Sequence, residues 1–417
     1  MNDNAIGARW AIEALRNGVP NRHAVALLGT FQQRIEERFR QQALETAVSP
    51  GTRGFLVRAD FGAGKSHLLY ALQQIASDLS FATATLAVSK ETPLSSFPRT
   101  ARTILRQLRL PDMEGTGLPA AATRAKFQSE DWLDLQTWAD GLEFGGGWWG
   151  ATLALYASLR AQHELSDRVV RFWGGDNNLT ARDLRNELHQ RGVSGIQQLG
   201  PRPAAGELDY QRLAFASRFV QGLGFKGLVV FLDEVELIAQ YPRQQRIQAY
   251  RNLAALLGQT DRPELAEAAL LVVGAVTSDF DDAVLRGKED WEEVPRIADV
   301  KYGPEAAEAS KAGMEAIRAA IPLATPDEAA IARIREVVTD IYRQAYAGWT
   351  PPPADHITLY ASTRMRELIR RWITSWDLQR YYEGPAEIEV EDIGSTPTDE
   401  SEELTAGEEG GASDSGR

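Results

Sequence analysis

The chain has 417 residues, with 58 acidic and 45 basic side chains, no cysteine and a net charge of −13. This length exceeds that of one ordinary domain, and the lack of cysteine excludes disulfides and cysteine-based metal sites. No apolar run approaches the ~20 residues of a membrane span, and the N-terminus lacks a signal-peptide pattern, so we expect a cytoplasmic protein.

The first fifty residues are predicted to be helical. Apolar side chains recur with helical spacing over residues 5–17 and again from Phe31 to about Thr46. Ser49-Pro50-Gly51 then forms a turn. We therefore expect a helical extension before the first strand.

A glycine-rich turn follows a short apolar run, residues 54–57, and precedes a predicted helix over 65–79. Gly62 and Gly64 allow backbone N–H groups to curl around a phosphate, and the helix N-terminus adds a positive dipole. In this phosphate-loop pattern Lys65 reaches the β- and γ-phosphates and the Ser66 hydroxyl ligates Mg²⁺. The pattern usually has a further glycine where this chain has Ala59, and the alternative is an ordinary glycine-rich turn. The expected nucleotide-binding residues are Asp60, Phe61, Gly62, Ala63, Gly64, Lys65, Ser66 and His67.

Residues 81–88 are predicted to form the second strand, and a helix over 97–109 follows. Four arginines in this helix, spaced by three or four residues, are expected to share one face. Such a row can track the phosphates of double-stranded DNA, although a row of this kind is more often a solvated or salt-bridged face. The four are Arg99, Arg102, Arg106 and Arg109.

A long interval, about 110–225, separates this helix from the next strand. Gly145-Gly146-Gly147 is predicted to be a loop before a helix over 149–162, and Thr180 can cap a helix over 180–190. Residues 166–173 and 180–190 form either a helix-turn-helix-like insertion or simply two short helices.

An acidic pair ends the next strand. Residues 228–232 are continuously apolar, as in a strand buried on both faces, and Asp233 and Glu234 follow. Acids at the carboxyl end of a central parallel strand lie near a phosphate loop. We expect Asp233 to hold Mg²⁺ and Glu234 to polarise the attacking water. The alternative is a solvated acidic turn.

The third nucleotide-core strand, residues 270–276, ends at Thr277, whose hydroxyl can sense the γ-phosphate or orient water. Residues 279–314 are expected to be charged, irregular and partly helical. Arg286, Arg296 and Arg318 are candidates to complete the site of a neighbouring subunit in a homo-oligomer.

The C-terminal part is predicted to be a helical lid. Residues 321–323 end the last strand, and helices follow over 328–346 and 358–382. Arg364, early in the last helix, is a candidate contact of the γ-phosphate. Residues 387–417 hold eleven acidic side chains and one Arg, or −10 of the net −13, so the folded part is nearly neutral. We expect this tail to be disordered.

Together these elements predict an α/β fold with a parallel sheet flanked by helices. The expected divisions are an N-terminal helical extension (1–50), a nucleotide core (51–325) with the insertion at about 110–225, a lid (326–385) and an acidic tail (386–417). The predicted reaction is in-line attack of water on the γ-phosphate of a nucleoside triphosphate, assisted by Lys65, Ser66, Glu234 and Mg²⁺.

Four segments resemble the BREX-system ATP-binding protein family BrxD, and the resemblance extends over most of residues 5–380. They are residues 14–22, 61–69, 88–94 and 232–236. The resemblance implies a P-loop ATPase related to AAA+ and initiator-type ATPases. It also implies a role as motor or switch in bacterial anti-phage defence, acting with DNA and other defence proteins.

Two other functions fit the same residues. One is a nucleotide-gated scaffold, which binds ATP and defence partners but hydrolyses ATP slowly. The other is a DNA-binding protein with a secondary nucleotide site, for which the row of arginines is the main support.

Overall fold

The computed structural model describes residues 3–18, 22–111, 113–142, 145–159, 164–176, 179–193, 199–260, 262–352 and 365–382. The chain packs as two units, Met1–Arg370 and Arg371–Arg417. In the second unit, the described residues are the last two-thirds of one helix, in which Gln379 donates to Ser375 and Arg380 pairs with Asp377. The predicted tail and Arg364 lie outside the described residues.

Five parallel strands form one sheet in the order β2-β3-β4-β1-β5. The strands are β1 Gly51–Arg58, β2 Ala82–Ala87, β3 Leu228–Asp233, β4 Ala269–Val276 and β5 Ile321–Pro322. β1 pairs with β4 over its whole length, from Gly51 opposite Ala269 to Arg58 opposite Val276. The predicted parallel sheet flanked by helices is confirmed.

The described part of the chain contains seventeen α-helices. Before β3 they are α1 Asp3–Asn17, α2 Arg22–Leu28, α3 Gln33–Val48, α4 Lys65–Asp78, α5 Phe97–Gln107, α6 Gly117–Ala122, α7 Glu130–Asp140, α8 Trp148–Ser158, α9 Glu164–Trp173, α10 Ala181–Gln190 and α11 Ala205–Gly222. After β3 they are α12 Arg243–Leu256, α13 Pro263–Ala266, α14 Asp290–Tyr302, α15 Pro304–Arg318, α16 Glu328–Ala345 and α17 Met365–Tyr382. No helix among the described residues is long and apolar enough to cross a membrane.

Both faces of the sheet are buried, which explains the unbroken apolar runs of its strands. In β3, Val229 and Phe231 pack with α3 and α4 on one face. Their neighbours Val230 and Leu232 pack on the other face, in the core that includes α5, α11 and α12. The period of two along each strand therefore distributes its side chains between two separate apolar layers.

Aromatic side chains fill the core of the insertion. Trp149 stacks on Phe215 of α11 with ring centroids 4.7 Å apart, and Trp173 lies 5.1 Å from the same ring. Because α11 also packs against β4 and α5, the insertion shares one continuous core with the sheet. The expected cap at Thr180 is confirmed: its hydroxyl accepts from the N–H of Asp183, whose carboxylate accepts from the N–H of Thr180.

The expectation of irregular structure over 279–314 is wrong. The segment contains a π-helical turn over Asp281–Arg286, followed by α14 and α15, which pack against each other. The buried face of α15 includes Ala306, Ser310 and Gly313. These residues are too small or too polar to give the sequence a strong periodic pattern of apolar side chains. Sequence periodicity therefore missed a helix that packs through small residues.

The predicted row of four arginines is also wrong. α5 ends at Gln107, and Arg109 instead forms an antiparallel bridge with Thr83 of β2. The side chain of Arg102 packs against Gly175 in the insertion and is only partly exposed. Arg99 and Arg106 are exposed on α5, so only two of the four arginines lie on the predicted basic face of this helix.

Candidate nucleotide-binding site

The glycine-rich turn joins β1 to α4 through two residues with positive φ. Gly62 has φ 77° and Gly64 has φ 103°, a left-handed conformation that favours glycine. Gly64 is also the N-cap of α4, so the helix N-terminus opens directly onto the turn. This is the geometry that a phosphate-binding loop requires.

Ala59 lies where the usual pattern has glycine. It is buried at the end of β1, its N–H donates to the carbonyl of Val276 at 3.3 Å, and its φ is not positive. A methyl group is therefore compatible with the backbone at this position. The departure from the pattern does not disturb the turn at Gly62 and Gly64.

The ammonium of Lys65 is folded back against its own loop. Its Nζ donates to the carbonyl of Ala59 at 3.1 Å and reaches that of Asp60 at 3.5 Å. A third group, Oε1 of Glu236, lies 3.6 Å away. Because only 8% of Lys65 is exposed, these contacts hold the cation at the base of the loop.

The acidic residues follow β3 in a tight turn. Glu234 has φ 59° and caps a 3-10 helix, Val235–Gln240, and its N–H donates to Oδ1 of Asp233 at 3.0 Å. Glu236 lies in the first turn of that helix with 20% of its side chain exposed. Burial raises the pKa of the Glu236 carboxyl, and the nearby Lys65 ammonium opposes that rise.

Glu236 is a site residue that the sequence interpretation missed. Its position two residues after Glu234 indicates nothing by itself. The 3-10 helix, anchored by buried Val235 and Ile238, brings its carboxylate back to Lys65. The only sequence signal was a third acid within four residues of Asp233.

A cavity of about 510 Å³ opens over the loop, a volume in the range of small-molecule sites. Its polar lining includes Lys65, Ser66, Asp233, Glu234 and Glu236. The phosphate-loop residues Phe61 to His67 all contribute, whereas Asp60 does not. Apolar lining comes from α1, α2, the loop after α2, and α16, namely Leu15, Leu28, Phe31, Ile334 and Val337. The cavity thus combines phosphate-binding groups with an apolar wall suited to a base.

Two oxygen donors that suit Mg²⁺ line this cavity together. The Ser66 hydroxyl and the Asp233 carboxylate are both hard ligands, the type that Mg²⁺ prefers. The structure therefore brings the two predicted metal ligands to one site, and they fit the ion chemically.

Arginines reach the cavity from α16 and α17. Arg333 of α16 and Arg366 of α17 line it, and the guanidinium of Arg366 lies 5.5 Å from the centroid of the Phe61 ring. The predicted Arg364 is outside the described residues. Arg366, two residues later, was not singled out from sequence although it belongs to the same basic run.

Other predicted residues do not line the cavity within the described part of the chain. Thr277 follows β4, which lies between β1 and β3 in the sheet. The three candidate intersubunit arginines pair with acids. Arg286 pairs with Asp281 and Asp282, Arg296 pairs with Glu293, and Arg318 pairs with Asp281.

The loop between α2 and α3 is tied to both sides of the cavity. The carbonyl of Gly29 accepts from Nε2 of His67 at 2.8 Å, which assigns the proton to that nitrogen. The side-chain amide of Gln32 donates to the carbonyl of Ala324 at 2.9 Å and accepts from the N–H of Ala324 at 2.8 Å. Burial lowers the pKa of His67 and favours the neutral ring.

The family model described as BREX system ATP-binding protein BrxC/D matches residues 7–119 and 163–351. The matched residues include the phosphate loop, the acidic turn and the α16 wall of the cavity. No curated protein matches the chain.

Proposed function

Because the chain belongs to the family of BREX system ATP-binding proteins BrxC/D, we propose that it is a Mg²⁺-dependent ATPase acting as a motor or switch in phage defence. The observation that carries this proposal is the shared cavity, where Lys65, Ser66, Asp233 and Glu234 converge. Proposed partners are DNA, other defence proteins and further copies of the same chain.

The AAA+ and initiator-like subtype is part of the proposal. It is supported by the order of the sheet, in which β4 lies between the loop strand β1 and the acidic strand β3. It is also supported by a helical segment after β5, whose residues line the cavity. The division into extension (1–50), core (51–325), lid (326–385) and acidic tail (386–417) completes this interpretation.

In the proposed reaction, water attacks the γ-phosphate in line with the leaving oxygen. Glu234 orients and polarises the water, and Lys65 moves from the loop carbonyls to the β- and γ-phosphates. Ser66 and Asp233 would hold Mg²⁺, which when bound neutralises charge on the phosphates. Arg366 or the neighbouring Arg364 contacts the γ-phosphate from the lid. Thr277 follows β4, the strand between β1 and β3, and although it does not line the cavity we propose that it senses the γ-phosphate when nucleotide is bound.

ATP turnover with Mg²⁺ tests this proposal, measured with and without double-stranded DNA. We expect Glu234→Gln to lower kcat by roughly 10²-fold or more, because the water loses its carboxylate. We expect Lys65→Ala to abolish ATP binding. Background turnover in the wild-type protein under every condition, with ATP still bound, would contradict the ATPase.

A nucleotide-gated scaffold is the second candidate, and one observation favours it. Lys65 is engaged with Ala59 and Glu236 and must be released before it can serve the phosphates. A protein limited by that release would bind ATP yet turn over slowly, with Glu234→Gln leaving the rate unchanged. The DNA-binding alternative has less support, because only Arg99 and Arg106 of the four predicted arginines are exposed on α5.

A further inference from the structure

Glu236 is a partly buried acid that the proposed reaction does not use. The 3-10 helix Val235–Gln240 carries it into the cavity wall, where its Oε1 lies 3.6 Å from Nζ of Lys65. Its other oxygen, Oε2, is buried and has no hydrogen-bond partner among the residues that the structure describes. A buried carboxylate oxygen without a hydrogen bond is costly, so the interaction of Oε1 with Lys65 is the main compensation.

The contact with Lys65 places Glu236 in competition with nucleotide. An ammonium has three donors, and here two of them point at the carbonyls of Ala59 and Asp60. Glu236 occupies the remaining side of the cation. When a γ-phosphate arrives, Lys65 must exchange the carboxylate for phosphate oxygens. The Glu236 carboxylate then faces the added negative charge in a partly desolvated site.

We infer that Glu236 is a positioning residue for Lys65, which holds the ammonium at the loop before nucleotide binds and opposes the γ-phosphate afterwards. The inference rests on the proposed function, since it assumes that ATP occupies the cavity. Glu236 thereby reduces the preference of the site for ATP over ADP. The ADP-bound site is less affected, because it lacks the γ-phosphate charge that competes with Glu236.

The test compares the affinities of ADP and the non-hydrolysable analogue AMP-PNP, each with Mg²⁺, by calorimetric titration of the full chain. In Glu236→Gln the ratio of AMP-PNP affinity to ADP affinity is expected to rise about tenfold. Glu236→Asp keeps the charge but withdraws it from Lys65, so its ratio is expected to lie between those of the wild type and the Gln variant. Glu292→Gln is the matched control, since it removes the same charge from an exposed position that does not line the cavity.

An unchanged ratio in folded Glu236→Gln overturns the inference and leaves Glu236 a structural residue. Should that variant fail to fold, an unchanged ratio in Glu236→Asp overturns it equally. A rise of the same size in Glu292→Gln would assign the effect to net charge and would also contradict it. If the wild-type protein binds neither nucleotide, or binding survives Lys65→Ala, the ATP site itself is wrong, which is a separate result.

Discussion

The guanidinium of Arg366 packs against the ring of Phe61, an aromatic residue of the phosphate loop. Its guanidinium lies 5.5 Å from the ring centroid of Phe61, whose side chain is 56% exposed at the tip of the loop. A cation–π contact of this kind keeps the guanidinium beside the cavity without neutralising it. Arg366 is thus placed to contribute positive charge to a bound triphosphate.

Replacing Arg366 should weaken ATP binding without unfolding the protein. We expect Arg366→Ala to raise the KM for ATP roughly tenfold, the loss of one charge-assisted hydrogen bond. Arg370→Ala is the control, because Arg370 is exposed on the same helix and does not line the cavity. Steady-state kinetics of both variants test this prediction. Equal KM values for ATP in Arg366→Ala and Arg370→Ala would show that Arg366 does not contact the nucleotide.

Single residues also show what sequence could and could not predict about the site. Lys65, Ser66, Asp233 and Glu234 were predicted and share one cavity, because strand ends and loops have recognisable local patterns. Glu236 depended on the direction of a 3-10 turn, and no sequence pattern specifies that direction.

At the scale of elements, close packing of α12 and α15 depends on Gly313. A Cβ added there would lie 2.1 Å from the carbonyl oxygen of Tyr250, so the two helix backbones are in direct contact. Nearby, Asp290 of α14 accepts from Arg246 at 2.6 Å and from Tyr250 at 2.9 Å, and all three are buried. Small residues and one buried ion pair therefore join these three helices.

Gly313→Ala should destabilise the protein by about 1–3 kcal/mol, the usual cost of overpacking a tight interface. Gly206→Ala provides the control, because a Cβ there would meet no atom within 4 Å and α11 would gain helix propensity. Urea denaturation monitored by fluorescence compares the two. Equal midpoints would show that α15 can shift away from α12 at little cost.

The same packing explains where prediction of elements succeeded and failed. The strands were recognisable because every position of β4 is buried and apolar. Prediction failed for α14 and α15, since close backbone contact selects Ala, Ser and Gly rather than large apolar residues. The end of α5 was also predicted wrongly. The helix stops at Gln107, because Arg109 is extended and forms a β-bridge with Thr83 of β2.

Across the first unit, the cavity wall is drawn from distant parts of the chain. Leu15 and Leu28, the phosphate loop, Glu234, and Val337 and Ile369 all contribute. Further bonds link these parts, since Gln32 holds Ala324 and Arg9 donates to the carbonyl of Ala345 at 2.9 Å. A nucleotide in this cavity would contact all of these elements at once.

Nucleotide should therefore stabilise the first unit strongly. At a concentration 100 times its Kd, ATP is expected to add about 2.7 kcal/mol to the free energy of unfolding. Thermal unfolding with Mg²⁺-ATP should show a raised Tm that is absent in Lys65→Ala. A Tm unaffected by saturating ATP would contradict binding in this cavity.

The pairing of β1 has a consequence for biosynthesis. This strand leaves the ribosome before the other four strands of the sheet, yet its neighbours are β4, with Gly51 opposite Ala269, and β5, with Val57 opposite Ile321. During translation β1 must remain without its sheet partners while the whole insertion is made, and its apolar residues then need shielding from aggregation. A nascent chain that ends before Ile369 also lacks part of the cavity wall. We therefore expect ATP to bind in this cavity only after the chain has been made through Ile369, too late to guide the early steps of folding.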